Sequence, residues 1–367
     1  MHLPLKKLAV AAALVAAVLA VPAPASAEDA APAIRQVTVG VEHSCSLDDT
    51  GSVLCWGDNY FGQLGADGPR RSSVPVPIAL PGPATSIAGG AYHTCVIVAA
   101  DVLCWGDNYD RQLGTANVPT DGAVVKVEGL EGQTPKTVSA GVNSSCVVTE
   151  SSELYCWGET ARQQTHIRQT VKFDVPGTVI AAEVDKWYGC AATTEGPYCW
   201  HVEYQGFQRA AGFPAGPAVA ITTSRNATCA QTPDDSLYCW GDNFFGSVGD
   251  GTMDRRPEAV RIALPAAPTT VGSGENHICA GVVDGAYCWG RNSYGQVGAD
   301  DPGWALPSPT PVAGLTGAVT SIDGDFSHTC AAVAGEAYCW GINDVGQLGD
   351  GTTTSVRAPV KVLAAQA

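Results

Sequence analysis

The sequence predicts an all-β protein, a seven-bladed β-propeller of about four strands per blade. Three observations carry this. A Cys-Trp pair recurs seven times, at Cys55-Trp56, Cys104-Trp105, Cys156-Trp157, Cys199-Trp200, Cys239-Trp240, Cys288-Trp289 and Cys339-Trp340, in steps of 49, 52, 43, 40, 49 and 51 residues. Each pair has a further cysteine 9 or 10 residues upstream, at Cys45, Cys95, Cys146, Cys190, Cys229, Cys279 and Cys330, so seven pairs account for all 14 cysteines. The composition, with 42 Gly, 24 Pro, 2 Met and only 15% charged residues, suits short strands and many turns rather than helices.

Every repeat runs in the same order. A segment such as Ser86–Gly90 leads into Tyr92–Val98, a short turn follows, and Val102–Gly106 carries the Cys-Trp. A Gly-rich loop and a Pro/Val-rich stretch such as Val74–Ile78 close the unit. Four short strands per ~49 residues, repeated radially, make a propeller.

Strand parity supports cross-strand disulfides. Cys330 and Cys339 enclose eight residues, three pairs and a two-residue turn at Ala334-Gly335. Cys229 and Cys239 enclose nine, three pairs and a turn around Pro233-Asp234-Asp235. Both spacings put the cysteines face to face in one hairpin, giving 45–55, 95–104, 146–156, 190–199, 229–239, 279–288 and 330–339. Zinc or redox motifs are the other reading, but no C-x-x-C occurs. The tryptophans alternate with cysteines, as in Tyr238-Cys239-Trp240, and read as core. His43, His93, His277 and His328 each precede a cysteine by two residues in different repeats and read as structural, not as a metal set.

The domain organisation is simple. Lys6 and Lys7, the apolar run Leu8–Val21 and Ala25-Ser26-Ala27 read as a cleavable secretory signal, the run being shorter than the ~20 residues of a span. We expect a signal peptide at 1–27, a short linker at 28–35 and one propeller at 36–367, secreted or extracytoplasmic and not inserted in a membrane. The formal charge of -16 argues against nucleic acid as a partner, because phosphates need Lys and Arg.

The fullest loop reads Trp56-Gly57-Asp58-Asn59-Tyr60-Phe61-Gly62-Gln63-Leu64-Gly65, and it recurs at Trp240–Gly249, Trp289–Gly298 and Trp340–Gly349. With the upstream His-Thr-Cys and the Pro-Val stretch, the chain resembles the regulator of chromosome condensation repeat family over nearly its whole mature length. The resemblance implies a seven-bladed ring closed by the chain ends, with Arg357–Leu363 completing the first blade beside Gln36–Gly40. The family's namesake exchanges nucleotide on a nuclear-transport GTPase and binds chromatin. An exported chain with the acidic N-terminus Glu28-Asp29 suits neither role. A secreted bacterial β-lactamase inhibitory propeller is also similar, which implies a protein-binding, inhibitory module acting on another extracytoplasmic protein.

The motif fails in repeats three and four. After Trp157-Gly158 there is no Gly-Gln-Leu-Gly; Arg162, His166 and Arg168 stand there instead. His201 replaces the glycine after Trp200, followed by Tyr204, Phe207 and Arg209, and Trp187-Tyr188 replace small residues upstream. Aromatics and Arg suit a binding hot spot, so these nine are the candidate partner-binding residues, with relaxed rim loops as the bland reading. No catalytic, cofactor or metal residues are assigned. Asp58, Asp107 and Asp242 fall in different repeats, Asp250-Gly251-Thr252 and Asp350-Gly351-Thr352 are turns without a calcium-loop ladder, and no G-x-S-x-G or H-E-x-x-H occurs. A structural or glycan-associated envelope protein and an enzyme with a central-channel site are the alternatives. Asn143 and Asn226 begin glycosylation sequons.

Overall fold

Seven antiparallel meanders of four strands each follow one another along the chain, each sheet built from consecutive strands. The computed structural model describes residues 32–116, 122–159, 170–186, 188–201 and 204–365. The proposed signal segment, 1–27, lies outside the described residues. Blade 1 comprises Ile34–Val39, His43–Asp48, Val53–Asp58 and Arg71–Pro77. Its first strand thus begins inside the stretch assigned above to a linker. Blade 4 comprises Val179–Val184, Tyr188–Thr193, Gly196–His201 and Tyr204–Arg209; blade 7 comprises Val319–Gly324, His328–Val333, Glu336–Gly341 and Val356–Lys361.

Position within the blade dictates composition. The second strands of blades 1, 2, 3, 6 and 7 are buried along their whole length, because neighbouring blades cover both faces. They accordingly read as continuous apolar or small residues rather than alternating ones, as in Cys95-Val96-Ile97-Val98. The fourth strands lie at the rim, where a missing N–H costs little, and these carry Pro75, Pro77, Pro307, Pro309, Pro311 and Pro359.

The seven disulfides pair as the spacing predicted, and the described residues contain no free cysteine. Each joins directly opposed residues of the second and third strands, with Cα atoms 4.0–4.1 Å apart. The two-residue turn at Ala334-Gly335 is observed, with φ of 51° and 84°. Both residues are left-handed, the geometry that matches the twist of a hairpin.

Blades are joined by side-chain bonds that repeat around the ring. The indole N–H of Trp105 donates to the carbonyl of Gln63 in the preceding blade at 2.8 Å. Trp157 does so to Gln112, Trp289 to Ser247, Trp340 to Gln296 and Trp56 to Gln347, all at 2.8–2.9 Å. Each loop also buries a Leu or Val beside the same tryptophan: Leu64, Leu113, Val248, Val297 or Leu348. The glycine that follows is needed there. A Cβ on Gly249, φ +87°, would stand 2.5 Å from Nε1 of Trp289.

The four histidines complete these junctions. His43 Nε2 meets Thr94 Oγ1 at 2.9 Å; His93, His277 and His328 meet Ser145, Thr329 and Ser44 at 2.8 Å. Ser44, Ser145 and Thr329 donate their single hydroxyl proton to the carbonyls of Gln347, Gln112 and Gln296. The facing Nε2 of His328, His93 and His277 must therefore carry a hydrogen and donate it. Burial pushes His43 down to about 4 and the other three down to about 3.

Ring closure differs from the expectation that the terminal strands share a blade. Val356–Lys361 pairs with the third strand of blade 7, Cys339 opposite Val360, while Ile34–Val39 pairs within blade 1, Thr38 opposite Cys45. The chain enters with a first strand of its own, so its last strand has its own blade to finish. Closure runs through side chains instead. Thr38 Oγ1 and Val39 N donate to Asp323 at 2.9 and 3.0 Å, and Trp56 makes its bond to Gln347.

Candidate functional site

In an antiparallel meander the connections from strand one to two and from strand three to four emerge on the same face. The backbone confirms it, since Asp58 N, at the end of the third strand of blade 1, bonds to Glu42 O, before the second, at 2.8 Å. The long three-to-four loops of this face are organised by one asparagine. Asn59 accepts from Leu64 N at 2.7 Å, and Asn108, Asn243, Asn292 and Asn343 repeat the bond at 2.8–3.2 Å. A rigid loop can hold a large side chain out in water. Among the described residues the exposed aromatics are Tyr60, Tyr109, Tyr188, Phe244, Tyr294, Trp304 and Phe326, and all belong to this loop face. Among the described residues the opposite face exposes only aliphatic residues among its large apolar ones, Val219, Val283 and Leu363. Arg291 lies over the rings of Phe245, Tyr294 and Phe326 at 5.4–5.6 Å from their centroids, bringing three blades together.

The irregular blades contribute differently from the expectation. Tyr188 is 43% exposed and meets His201 edge to face at 4.6 Å. Phe207 turns inward, packing on Trp200 and Phe173 with centroids 5.6 and 6.1 Å away. Its place in the blade-4 core explains why that aromatic replaces the motif. Arg209 braces the rim by donating to Glu195, Phe213 and Pro214 carbonyls. Arg162, His166, Arg168, Trp187 and the side chain of Tyr204 lie outside the described residues. The structure therefore brings Tyr188 and His201 together at the surface. Sequence reasoning missed the exposed aromatics of the regular loops, although the aromatic after Asp-Asn in Tyr60, Tyr109 and Phe244 was a visible signal.

Two hollows accompany the face. A central cavity of about 220 Å³ is lined by the first strands and holds five carboxylates, Glu183, Asp185, Glu275, Asp323 and Asp325. Arg225 pairs with Glu275. Burial pushes Glu183 up to about 8, helped by Asp323, and raises Asp323 to about 7 and Asp185 to about 6. A second hollow of about 320 Å³ lies between blades 4 and 5, lined among others by Tyr188, Arg209, Trp240 and Arg256.

A ring of stapled sheets that presents rigid aromatic loops on one face is a β-propeller scaffold for display. Models of the regulator of chromosome condensation (RCC1) repeat match residues 50–97, 284–332 and 334–366, and a second model of that repeat matches 34–63 and 136–164. The chain is an RCC1-repeat propeller. It is 27% identical over 340 residues to the secretion-regulating guanine nucleotide exchange factor of Bos taurus, covering 90% of this chain and 60% of that one. The chain thus spans less than two thirds of this relative's length. Yeast RCC1 (Prp20) bound to Kap60 superposes with a TM-score of 0.74 at 20% identity over 95% of this chain and 91% of that one. Prp20p of Saccharomyces cerevisiae, solved in a study of its binding to Gsp1p and histones, gives 0.74 at 21% over 87% of each.

Proposed function

We propose that the chain is an extracytoplasmic protein-binding propeller, exported by residues 1–27, that engages another extracytoplasmic protein through its loop face. The observation that carries this is the confinement of the exposed aromatics to that one face. Large rigid side chains lose little entropy on binding and dominate interface energetics. Seven disulfides fit an oxidising compartment, and of the solved RCC1-like neighbours one is described as bound to Kap60 and one by its binding properties to Gsp1p and histones. Residues of the irregular blades, Arg162, His166, Arg168, Trp187, Tyr188, His201 and Tyr204, belong to the same proposed surface.

The test is capture from culture supernatant and cell envelope with tagged mature protein, followed by affinity measurement. One stoichiometric partner is expected, with Tyr188→Ala and Trp304→Ala each weakening it about 10-fold or more and Val283→Ala, on the other face, leaving it unchanged. Retention on insoluble wall material with no protein captured overturns the proposal in favour of an envelope-associated role.

A further inference from the structure

The hollow between blades 4 and 5 has the position of a loop that the chain lacks. At five junctions a three-to-four loop reaches forward, gives a carbonyl to the next tryptophan and buries a Leu or Val against it. Residues 59–70, twelve in number, do this for blade 1. In blade 4, His201 pairs with Tyr204, so only residues 202 and 203 join the strands. Two residues cannot span to the next blade. Trp240, the tryptophan that should receive the loop, is partly exposed, whereas its five bonded counterparts are 0–1% exposed. Its indole N–H has no hydrogen-bond partner among the described residues. Thr228, at the position of Ser44 and Thr329, turns to Thr223 Oγ1 at 2.9 Å for want of a loop carbonyl.

The lining adds a charge. It holds Arg209, Arg225, Arg255 and Arg256 in a chain of formal charge -16; the last three pair with Glu275, Asp242 and Asp250, and Arg209 has no carboxylate partner among the described residues. Arg209 meets only carbonyl oxygens. The regular loops show what such a site accepts. Gly246-Ser247-Val248-Gly249 is followed by Asp250, which pairs with Arg256, and Gly346-Gln347-Leu348-Gly349 by Asp350.

We propose that this groove takes an extended loop of a partner protein that places an aliphatic side chain beside Trp240, a backbone carbonyl on its indole N–H and a carboxylate among the arginines. The inference rests on the protein-binding reading above and names the partner's chemistry.

The probe is a synthetic peptide with the sequence of residues 341–352, which copies the loop of blade 7. Its success or failure is independent of whether a natural partner is captured. The expected result is a shift of the Trp240 indole N–H resonance on titration into the full propeller. Binding should weaken about 10-fold in Trp240→Phe, which keeps the ring and loses the donor, and also when aspartate replaces the peptide's leucine. No shift at millimolar peptide, or equal affinity in Trp240→Phe, overturns the proposal. A graft of residues 59–70 in place of 202–203 supplies the second arm. It should protect Trp240 from acrylamide quenching, raise Tm and abolish peptide binding; an unprotected Trp240 in a folded graft overturns the idea. Concentration-dependent self-association that the peptide reverses assigns the groove to a second copy of the chain and overturns the partner assignment.

Discussion

Trp56 Nε1, in the first blade, donates to the main-chain carbonyl of Gln347, in the last, at 2.8 Å, the same bond that Trp340 makes to Gln296 within the chain. The closing junction is thus equivalent to an internal one. Trp56→Phe and Trp340→Phe should each lose about 2 kcal/mol or more, from the lost indole hydrogen bond and the space left by the smaller ring. Denaturant unfolding checks this. A large loss for Trp340→Phe beside none for Trp56→Phe would show the ring open in solution.

Ser44 links His328 to Gln347 across the same junction. Ser44→Ala leaves the buried N–H of His328 without its partner and takes one of two donors from the Gln347 carbonyl, and should cost about 1–3 kcal/mol. Ser44→Thr should cost far less, because Thr94 and Thr329 fill the equivalent place in other blades. Equal losses for the two would remove the hydroxyl from the account.

Stability should pass through a maximum near neutrality, from two opposed effects. Glu183 and Asp323 have native values of about 8 and 7, above their ordinary ones, so the native state holds their protons longer. Their contribution is full below about pH 4 and is lost as pH rises through 7 and 8. The histidines, lowered to about 3–4, act the other way, because the unfolded chain gains their protons below about pH 6.5 and the native state does not until far lower. Tm measured from pH 4 to 9 should fall on both sides. Glu183→Gln with Asp323→Asn should make the alkaline side shallower and the acid side steeper, because the slope these groups impose between about pH 4 and 8 is removed.

Phe207→Ala should behave as a core mutation. Its ring packs on Trp200 and Phe173, so truncation should cost about 2–4 kcal/mol. Tyr188→Ala, at an exposed ring, should cost under about 1 kcal/mol while weakening partner binding. The reverse pattern would exchange the roles given to these two residues.

Replacing Cys279 and Cys288 by alanine should cost about 2–3 kcal/mol, the value of closing a loop of this size. Peptide mapping without reductant should recover only pairs 9 or 10 residues apart. A major bridge between repeats would contradict the blade assignment.

Repeat number, blade content and disulfide pairing were legible because each depends on local spacing, as Cys330 and Cys339 show. Closure was not, because the repeat pattern does not say which strand a chain starts with; only the pairing of Thr38 with Cys45 decides it. The loss of the motif after Trp200 was visible, but its meaning was divided. Phe207 went to the core, whereas the vacancy appeared one blade further on, at Trp240, because each loop serves its neighbour. The five channel carboxylates come from three blades, and only the curvature of the ring brings Glu183 within reach of Asp323.

Because no sheet is shared between the first repeat and the last, whole units are the natural quantum of change in this chain. Duplicating or excising the stretch from one first strand to the next leaves every remaining sheet with four strands. A new boundary between regular blades meets the same tryptophan-to-carbonyl bond that serves five of the existing joints. A ring closed by a shared strand lacks that freedom at its seam. The permitted alterations here are of circumference, one wedge at a time, and the same modularity lets the chain be re-opened at another joint without cutting a strand.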